Sequence, residues 1–441
     1  MSPVDDCSVS QDETKRRPLL QMAPMLDVSY EDYRQLMRIL TKRAQLWTEM
    51  VVDSTLIYSQ KEGRSLSCFL DFAPHEHPIV CQLGGSDPNS LAEAAQIVER
   101  WGYDEINLNV GCPSDRVCCR GEFGAVLMKR PELVRDCIHE MSRRVQIPVT
   151  VKTRLGVDDL DTPEFTSNFI KTVRAGGCRH FIMHARKAFL KGLSPAQNRS
   201  VPPLRYERVA QVCKEFPDLD FSLNGGVVTL EQAKGLLQQA PKNLLGVMMG
   251  RATMNNPCIL WDVDRYIYGE SNPHSAPSRR TIVDEYCAYL EKAHPPDSEA
   301  AERAGVSHRA MKPILGLFTG LPGNKHFRNA LDTRIRDKDM RTEGPAAILK
   351  GVLATLGSEL GMLDSILPSA GAPEEHTAEL LPVGGVKEVV VPPPGQGRKR
   401  KHAAAMEAAA AAAAAAADDA SQKEPASKEP RVDTADGCAD A

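Results

Sequence analysis

The chain has 441 residues, with 54 Lys and Arg against 58 Asp and Glu and a formal net charge of −4. Near-neutrality does not exclude a nucleic-acid partner, because recognition depends on where charges cluster and not on their sum. No apolar run approaches the ~20 residues of a membrane span, and the polar, acidic start MSPVDDCSVSQDETKRR has the form of neither a signal nor a transit peptide. Twelve scattered cysteines form no CxxC pair and no Cys/His cluster at zinc spacing, so a reduced intracellular protein without a metal site is expected.

Short apolar runs ending in polar or glycine punctuation recur along the chain. They are PLLQMAPML (18–26), TEMVVDS (48–54), HPIVCQLGG (77–85), EINLNVGC (105–112), PVTVKTRLG (148–156), HFIMHAR (180–186), LDFSLNGG (219–226) and LGVMMGR (245–251). Between most of them lie segments with apolar residues at three- and four-residue spacing: SYEDYRQLMRILTKR, SLAEAAQIVERWG, RPELVRDCIHEMSRR, TPEFTSNFIKTVRAGG, RYERVAQVCKEF and TLEQAKGLLQQA. Eight strand-helix alternations predict an α/β fold, a (β/α)8 TIM barrel over residues 15–261, preceded by a disordered N-terminus at 1–14. A doubly wound open sheet is the competing arrangement; the count of eight favours the barrel. From Trp261 the strand-like runs stop. TIVDEYCAYLEKAH, SHRAMKPILGLFTG and GPAAILKGVLATLGSELGML carry only helical periodicity, which predicts a helical domain over 262–366. Residues 367–441 hold VPPPGQG, RKRK, ten consecutive alanines and SQKEPASKEP, a composition that buries no core and predicts a disordered tail.

A barrel delivers its functional side chains where strands end, and here those ends carry Met25, Gln82, Asn109, Lys152, His184, Asn224 and Arg251. Taken singly, each has an ordinary explanation. An isolated Asn or Gln caps its own backbone, a strand-end lysine is solvated, and a lone histidine is structural. Their convergence on one rim is what those explanations leave unaccounted for. Asn224-Gly225-Gly226 and Gly250-Arg251 follow strands seven and eight, where barrels bind phosphate through bare backbone N–H groups, and Arg251 adds a bidentate charge. The remaining groups suit a flavin: Lys152 and His184 for the N1/O2 edge, where negative charge gathers on reduction, and Gln82 and Asn109 for the pyrimidine edge. The backbone at Ala23-Pro24-Met25 is placed to cover the other side of the ring.

The segments APM, QLGG, INLNVGCPSDRV, VKTRLG, MHARKAFLKGLSPAQNR, LNGG and MGR, in this order and spacing, resemble the tRNA-dihydrouridine synthases, in particular the branch acting at position 20/20a of the D loop. The resemblance covers residues 18 to about 365. It implies an FMN barrel followed by a helical tRNA-binding domain, with hydride passing from NADPH to FMN and then to C6 of a uracil while a general acid protonates C5. By matching motif it implies FMN contacts at Pro24, Met25, Leu26, Gln82, Lys152, His184, Asn224, Gly225, Gly226, Gly250 and Arg251. Asn109, Arg186 and Lys187 would face the substrate base or its phosphate. A uracil stacked in folded tRNA must be extruded to reach a barrel mouth, with basic residues in HARKAFLKG and NKHFRNALDTRIRDK holding the backbone.

One position departs from the family pattern. The resemblance places a cysteine acid in an FGAC-like stretch, where this chain reads Phe123-Gly124-Ala125-Val126 in a loop one residue longer than the commonest form. Cys119 and Glu122 are then the leading acids, with Cys118 a third candidate. Glu122 would act with a pKa raised by burial; slow protonation by water is the remaining route. Cys112, in the GCP turn, reads as structural. A barrel reducing a free small molecule, or a catalytically weakened tRNA-binding protein, are the alternative functions. A cytoplasmic monomer is expected; Arg398–Lys401 is a candidate for nuclear import or nonspecific RNA contact, though solubilising charge in a disordered tail is the favoured reading.

Overall fold

The structure, a computed structural model, describes residues 19–275, 277–296, 304–337, 343–367 and 369–371, with backbone alone at 119–120, 304–307 and 357–360. The expected N-terminal segment 1–14, the tail from 372 onward and the RKRK stretch lie outside the described residues. Eight strands form one parallel sheet: β1 (Leu20–Met22), β2 (Leu46–Val52), β3 (Ile79–Gly84), β4 (Glu105–Val110), β5 (Val149–Arg154), β6 (His180–His184), β7 (Asp220–Asn224) and β8 (Leu244–Met249). The order β1-β8-β7-β6-β5-β4-β3-β2 runs the sheet back upon itself. Gln45, just before β2, donates its N–H to the Leu20 carbonyl at 3.0 Å and accepts from the Met22 N–H at 2.9 Å, bridging the first strand to the second. This is the (β/α)8 barrel that the eight runs predict.

Alternation along each strand divides the core in two, since successive side chains face opposite sides of a sheet. Leu20, Met22, Cys81, Leu83, Ile106, Leu108, Val149, Val151, Phe181 and Met183 face outward into the layer beneath the helices. Ala23, Trp47, Val80, Ile182 and Met248 face inward and form a second, separate apolar cluster. Inward neighbours at the other levels are polar: Gln82, Asn107, Thr150 and Ser222 are all buried.

The outer ring follows the predicted helices closely: α1 (Glu31–Leu40), α2 (Asp53–Lys61), α3 (Pro88–Trp101), α4 (Pro131–Arg144), α5 (Pro163–Arg174), α6 (Tyr206–Glu215) and α7 (Leu230–Gln239). Only α2 has no counterpart in the sequence reading. Its buried positions are Asp53, Leu56, Ile57 and Ser59, so polar residues occupy half of its inner face and erase the apolar period. In α3, by contrast, local and tertiary signals agree. Asp87 accepts from the Ser90 N–H at 2.7 Å, Pro88 opens the helix, and Gly102 ends it at a left-handed φ of 100°. Leu91, Ala94, Ala95 and Val98 turn one face to the sheet. Asp87→Ala is expected to cost about 1 kcal/mol by removing this cap, within the ~0.5–2 kcal/mol span of such losses, read as a shift in urea midpoint at unchanged slope.

Beyond β8 the described elements are helical: α8 (Arg251–Asn255), α9 (Arg279–Ala293), α10 (Ala304–Met311), α11 (Asn324–Arg336) and α12 (Gly344–Leu360). The segment SHRAMKPILGLFTG does not form one helix. Pro313 lacks the N–H that would continue α10, and a 3₁₀ turn takes over at Pro313–Gly316. Conversely NKHFRNALDTRIR, notable in the sequence for its charge, is α11. Phe327, Leu331 and Ile335 recur every four residues and are buried, and Phe327 meets Phe318 edge-on at 4.8 Å. Packed chain continues past residue 366: Leu367 is buried, and the Ala370 N–H donates to Asp262 Oδ2 at 2.8 Å.

The helical region docks on the barrel through α1. Asp32 Oδ1 accepts from the Tyr289 hydroxyl and pairs with His294 Nε2, each at 2.7 Å. Burial alone would lower the His294 pKa, but the hydrogen bond and charge of Asp32, with Glu31, outweigh it and raise the pKa above 6.5. A histidine whose folded pKa is raised contributes stability that is complete below about pH 6.5 and lost as pH rises through the raised value. Thermal unfolding followed from pH 6 to 8.5 should show this decline. His294→Gln should flatten it, with a difference below about 1 kcal/mol because the pair is partly exposed.

Candidate active site

The C-terminal ends of the strands bring the predicted polar residues onto one rim. Strand register places Asn109 beside Lys152 and His184 beside Asn224. Lys152 then reaches past β6, and its Nζ donates to Asn224 Oδ1 at 3.1 Å while Asn224 Nδ2 donates to the Met248 carbonyl at 2.9 Å. Three strands are thereby tied together at the mouth.

On the opposite wall a hydrogen-bond chain fixes which way each amide faces. Asn109 Oδ1 accepts from the N–H groups of Gly111 (3.1 Å) and Cys112 (3.0 Å), so its Nδ2 must be the group that donates to Gln82 Oε1 at 2.9 Å. Gln82 Nε2 donates to Asn107 Oδ1 (2.9 Å), Asn107 Nδ2 to Thr150 Oγ1 (2.9 Å), and Thr150 to the Glu105 carboxylate at 2.6 Å. The chain uses one N–H of each of Gln82 and Asn109; each amide keeps a second donor. Burial pushes the Glu105 pKa up to about 7, against the hydrogen bonds from Thr150 and Gln45.

Positive charge gathers at this mouth without a counterion. Burial lowers the Lys152 pKa to about 7, helped by Arg154 and Arg199. His184 is held well below its usual value by burial and then by Arg154, Lys152, Arg186 and Arg251, so its imidazole is neutral. Arg186 is also lowered, first by burial and then by Arg251, and its Nε is buried without a hydrogen-bond partner. Among the described residues no carboxylate pairs with Lys152, Arg154, Arg186, Arg199 or Arg251, whereas Lys187 lies 3.6 Å from Asp161. Arg154 and Arg186 are buried without an opposite charge, which is costly, and Arg199 and Arg251 add exposed positive charge beside them; a site of this kind suits an anion.

The glycines leave room for one. Gly225 and Gly226 adopt φ of 116° and 73°, and a Cβ on Gly225 would lie 2.7 Å from the His184 ring. On Gly250 it would lie 3.1 Å from Ala23. Arg251 is exposed, and its Nη2 donates to the Arg199 carbonyl at 2.7 Å. Across the mouth the β1 loop presents Pro24 and Met25 half-buried and Leu26 58% exposed, an apolar edge beside a polar floor. A phosphate with a flat, partly apolar ring fits this combination of cations, bare backbone and amide donors. Arg154 carries no signal in the sequence: buried at the end of β5, it donates to the carbonyls of Gly111, Lys187 and Asn198 and holds two mouth loops in place.

The loop after β4 contains the acid candidates. Cys118 is buried and its thiol donates to the Cys112 carbonyl at 3.0 Å. Glu122 is exposed at a left-handed φ of 50°, so burial of its carboxyl does not occur in this arrangement. The Cys119 side chain lies outside the described residues. Val126 is half-buried in a 3₁₀ turn, Gly124–Lys129, between the buried Ala125 and Leu127. Gly124 is required there, since a Cβ would lie 2.6 Å from both the Cys112 carbonyl and Val117.

The family profile described as dihydrouridine synthase matches residues 21–350, from β1 into α12. The chain belongs to the dihydrouridine synthase family. Proteins named tRNA-dihydrouridine(20/20a) synthase are similar across it: 44% identical over 310 residues in Shewanella oneidensis, spanning 70% of this chain and 87% of the relative. The Vibrio vulnificus protein is 42% identical over 342 residues, spanning 77% and 98%, and that of Synechocystis sp. 43% over 312 residues, spanning 71% and 88%. Dihydrouridine synthases are flavin-dependent oxidoreductases that form dihydrouridine in tRNA. Among the described residues there is no group of three or more His, Cys, Asp or Glu suited to a metal, and no helix long and apolar enough to cross a membrane.

Proposed function

We propose that this dihydrouridine synthase reduces uridine to 5,6-dihydrouridine at position 20 or 20a of the tRNA D loop, using FMN and NADPH. The observation that carries the reading is the cluster of cations around Lys152 at the barrel mouth, with Arg154 and Arg186 buried and no carboxylate paired to any of them among the described residues. Gly225, Gly226, Gly250 and Arg251 would hold the phosphate of FMN. Lys152 and His184 would face its N1/O2 edge, Gln82 its pyrimidine edge, and Pro24, Met25 and Leu26 its other side. Bound there, FMN supplies the hydride that C6 of the uracil receives, NADPH being the source.

The chain's own groups do the rest. Lys152 places a cation where negative charge develops, in a water-poor site where such a charge acts strongly. Asn109, with a spare amide N–H, would meet a carbonyl of the extruded base, and Arg186 and Lys187 its phosphate. Cys118 spends its S–H on the Cys112 carbonyl, which leaves the proton for C5 to Cys119 or Glu122, further along the same loop. The helical region, with the basic face of α11, would carry the tRNA backbone.

The test is mass-spectrometric mapping of dihydrouridine in unmodified tRNA treated with purified protein, FMN and NADPH. A mass gain of two hydrogens confined to position 20 or 20a is expected. Modification elsewhere would overturn the site assignment, and none at all would overturn the activity.

A further inference from the structure

The loop after β1 carries three of the proposed flavin contacts, Pro24, Met25 and Leu26, and is closed by a turn in which Val28 and Ser29 donate their N–H groups to the Met25 carbonyl. The turn requires Asp27 at φ 59°, a conformation that residues with a Cβ adopt rarely. Both backbone groups of Asp27 are taken by side chains from elsewhere: its N–H by Glu49 Oε1 on β2, its carbonyl by Lys312 Nζ just past α10. The second oxygen of Glu49 faces Arg309 Nη2 at 3.6 Å. Arg309 itself stacks over the Tyr30 ring at 4.1 Å, and the Tyr30 hydroxyl donates to the Arg309 carbonyl at 2.9 Å. Two cations of the helical region thus grip a barrel loop, one directly and one through Glu49.

We infer that Arg309 and Lys312 are positioning residues for the flavin-covering loop, so that loop order and flavin affinity depend on a region that contributes no flavin contact of its own. The inference rests on the reading of the mouth as an FMN site for the affinity, and on geometry alone for the loop. Glu49 is the hinge of the arrangement. It is the acceptor shared by the barrel turn and the helical region, so a displacement of Arg309, as on docking of tRNA along the helices, changes how firmly the Asp27 turn is held. Coupling of this kind is reciprocal: bound flavin would favour the docked position of Arg309 as much as Arg309 favours bound flavin.

The experiment uses the full chain and the double variant Arg309→Ala/Lys312→Ala, with Lys350→Ala as control. Lys350 pairs with Glu291 in an exposed ion pair within the helical region, at 2.6 Å. Hydrogen exchange of the peptide spanning residues 23–30 is measured without flavin, and FMN dissociation by fluorescence. In the double variant exchange should quicken and FMN affinity fall at least about tenfold, a factor that corresponds to about 1.4 kcal/mol; the control should match the parent. Adding Asp27→Gly, which adopts positive φ at no steric cost, should restore most of the lost affinity, which a general destabilisation would not allow. Unchanged exchange would overturn the inference, as would a lost affinity that Asp27→Gly leaves unrecovered. If the parent protein binds no FMN, the flavin reading fails while the exchange measurement still decides the role of Arg309 and Lys312.

Discussion

Lys152→Met is expected to lower dihydrouridine formation by about 10²–10³-fold, the range for removing one preorganised electrostatic group from a reaction site, while leaving the fold intact. The side chain is half-buried, its Nζ has Asn224 as hydrogen-bond partner, and the cations Arg154 and Arg199 lie close enough to depress its pKa. Methionine fills nearly the same volume without a charge to desolvate. The flavin-free variant should therefore unfold at the same temperature as the parent or higher, because an uncompensated, half-buried cation is itself a cost. The sign of the pH dependence follows from the depressed pKa of about 7. Between that value and the 10.5 of an unperturbed lysine the unfolded chain binds the extra proton, so stability attributable to Lys152 rises with pH across this window. The difference in melting temperature between parent and Lys152→Met, followed from pH 6.5 to 9.5, should shrink as pH rises. A variant that retains full activity, or one whose melting profile parallels the parent, would show that this amine is not the uncompensated cation of the mouth.

The same physics explains what the sequence disclosed and what it concealed. Period-two alternation makes the outward residues of β4, Ile106 and Leu108, legible at once, and the inward Asn107 and Asn109 are the same signal read from the other side. The strand runs overshoot into the mouth because loops such as Gly111–Cys112 and Gly225–Gly226 continue them without a charged break. Glu49 was hidden by a register shift between Trp47 and Met50, which breaks the alternation that would have marked its side chain as inward. Arg154 was hidden by its partners: three backbone carbonyls from the loops after β4 and β6. No spacing in the sequence predicts such contacts, which exist only once the barrel has closed. The Asp27 turn is of the same kind, since its left-handed backbone is held by Glu49 and Lys312 from 22 and 285 positions away.

Val126→Cys is expected to raise the turnover of tRNA by about 10²-fold, at the lower end of what a positioned general acid supplies. The substitution puts a thiol on the 3₁₀ turn between the buried Ala125 and Leu127, where Val126 is half-buried and where the resemblance places the family's cysteine. Loss of one methyl group at a partly buried position should cost no more than about 1 kcal/mol, so the variant remains folded. An installed thiol near the ordinary cysteine pKa of about 8.5 would act as acid in its protonated form, so the gain should fade as pH rises through that value. The parent's own acids give the complementary measurement. If Cys119 or Glu122 now supplies the proton, then Cys118→Ser/Cys119→Ser or Glu122→Gln lowers the rate in the parent and has no further effect when combined with Val126→Cys. Turnover that is unmoved by Val126→Cys and by all of the loop variants would mean that C5 is protonated by water before any side chain acts, and that the loop after β4 serves only to shape the mouth.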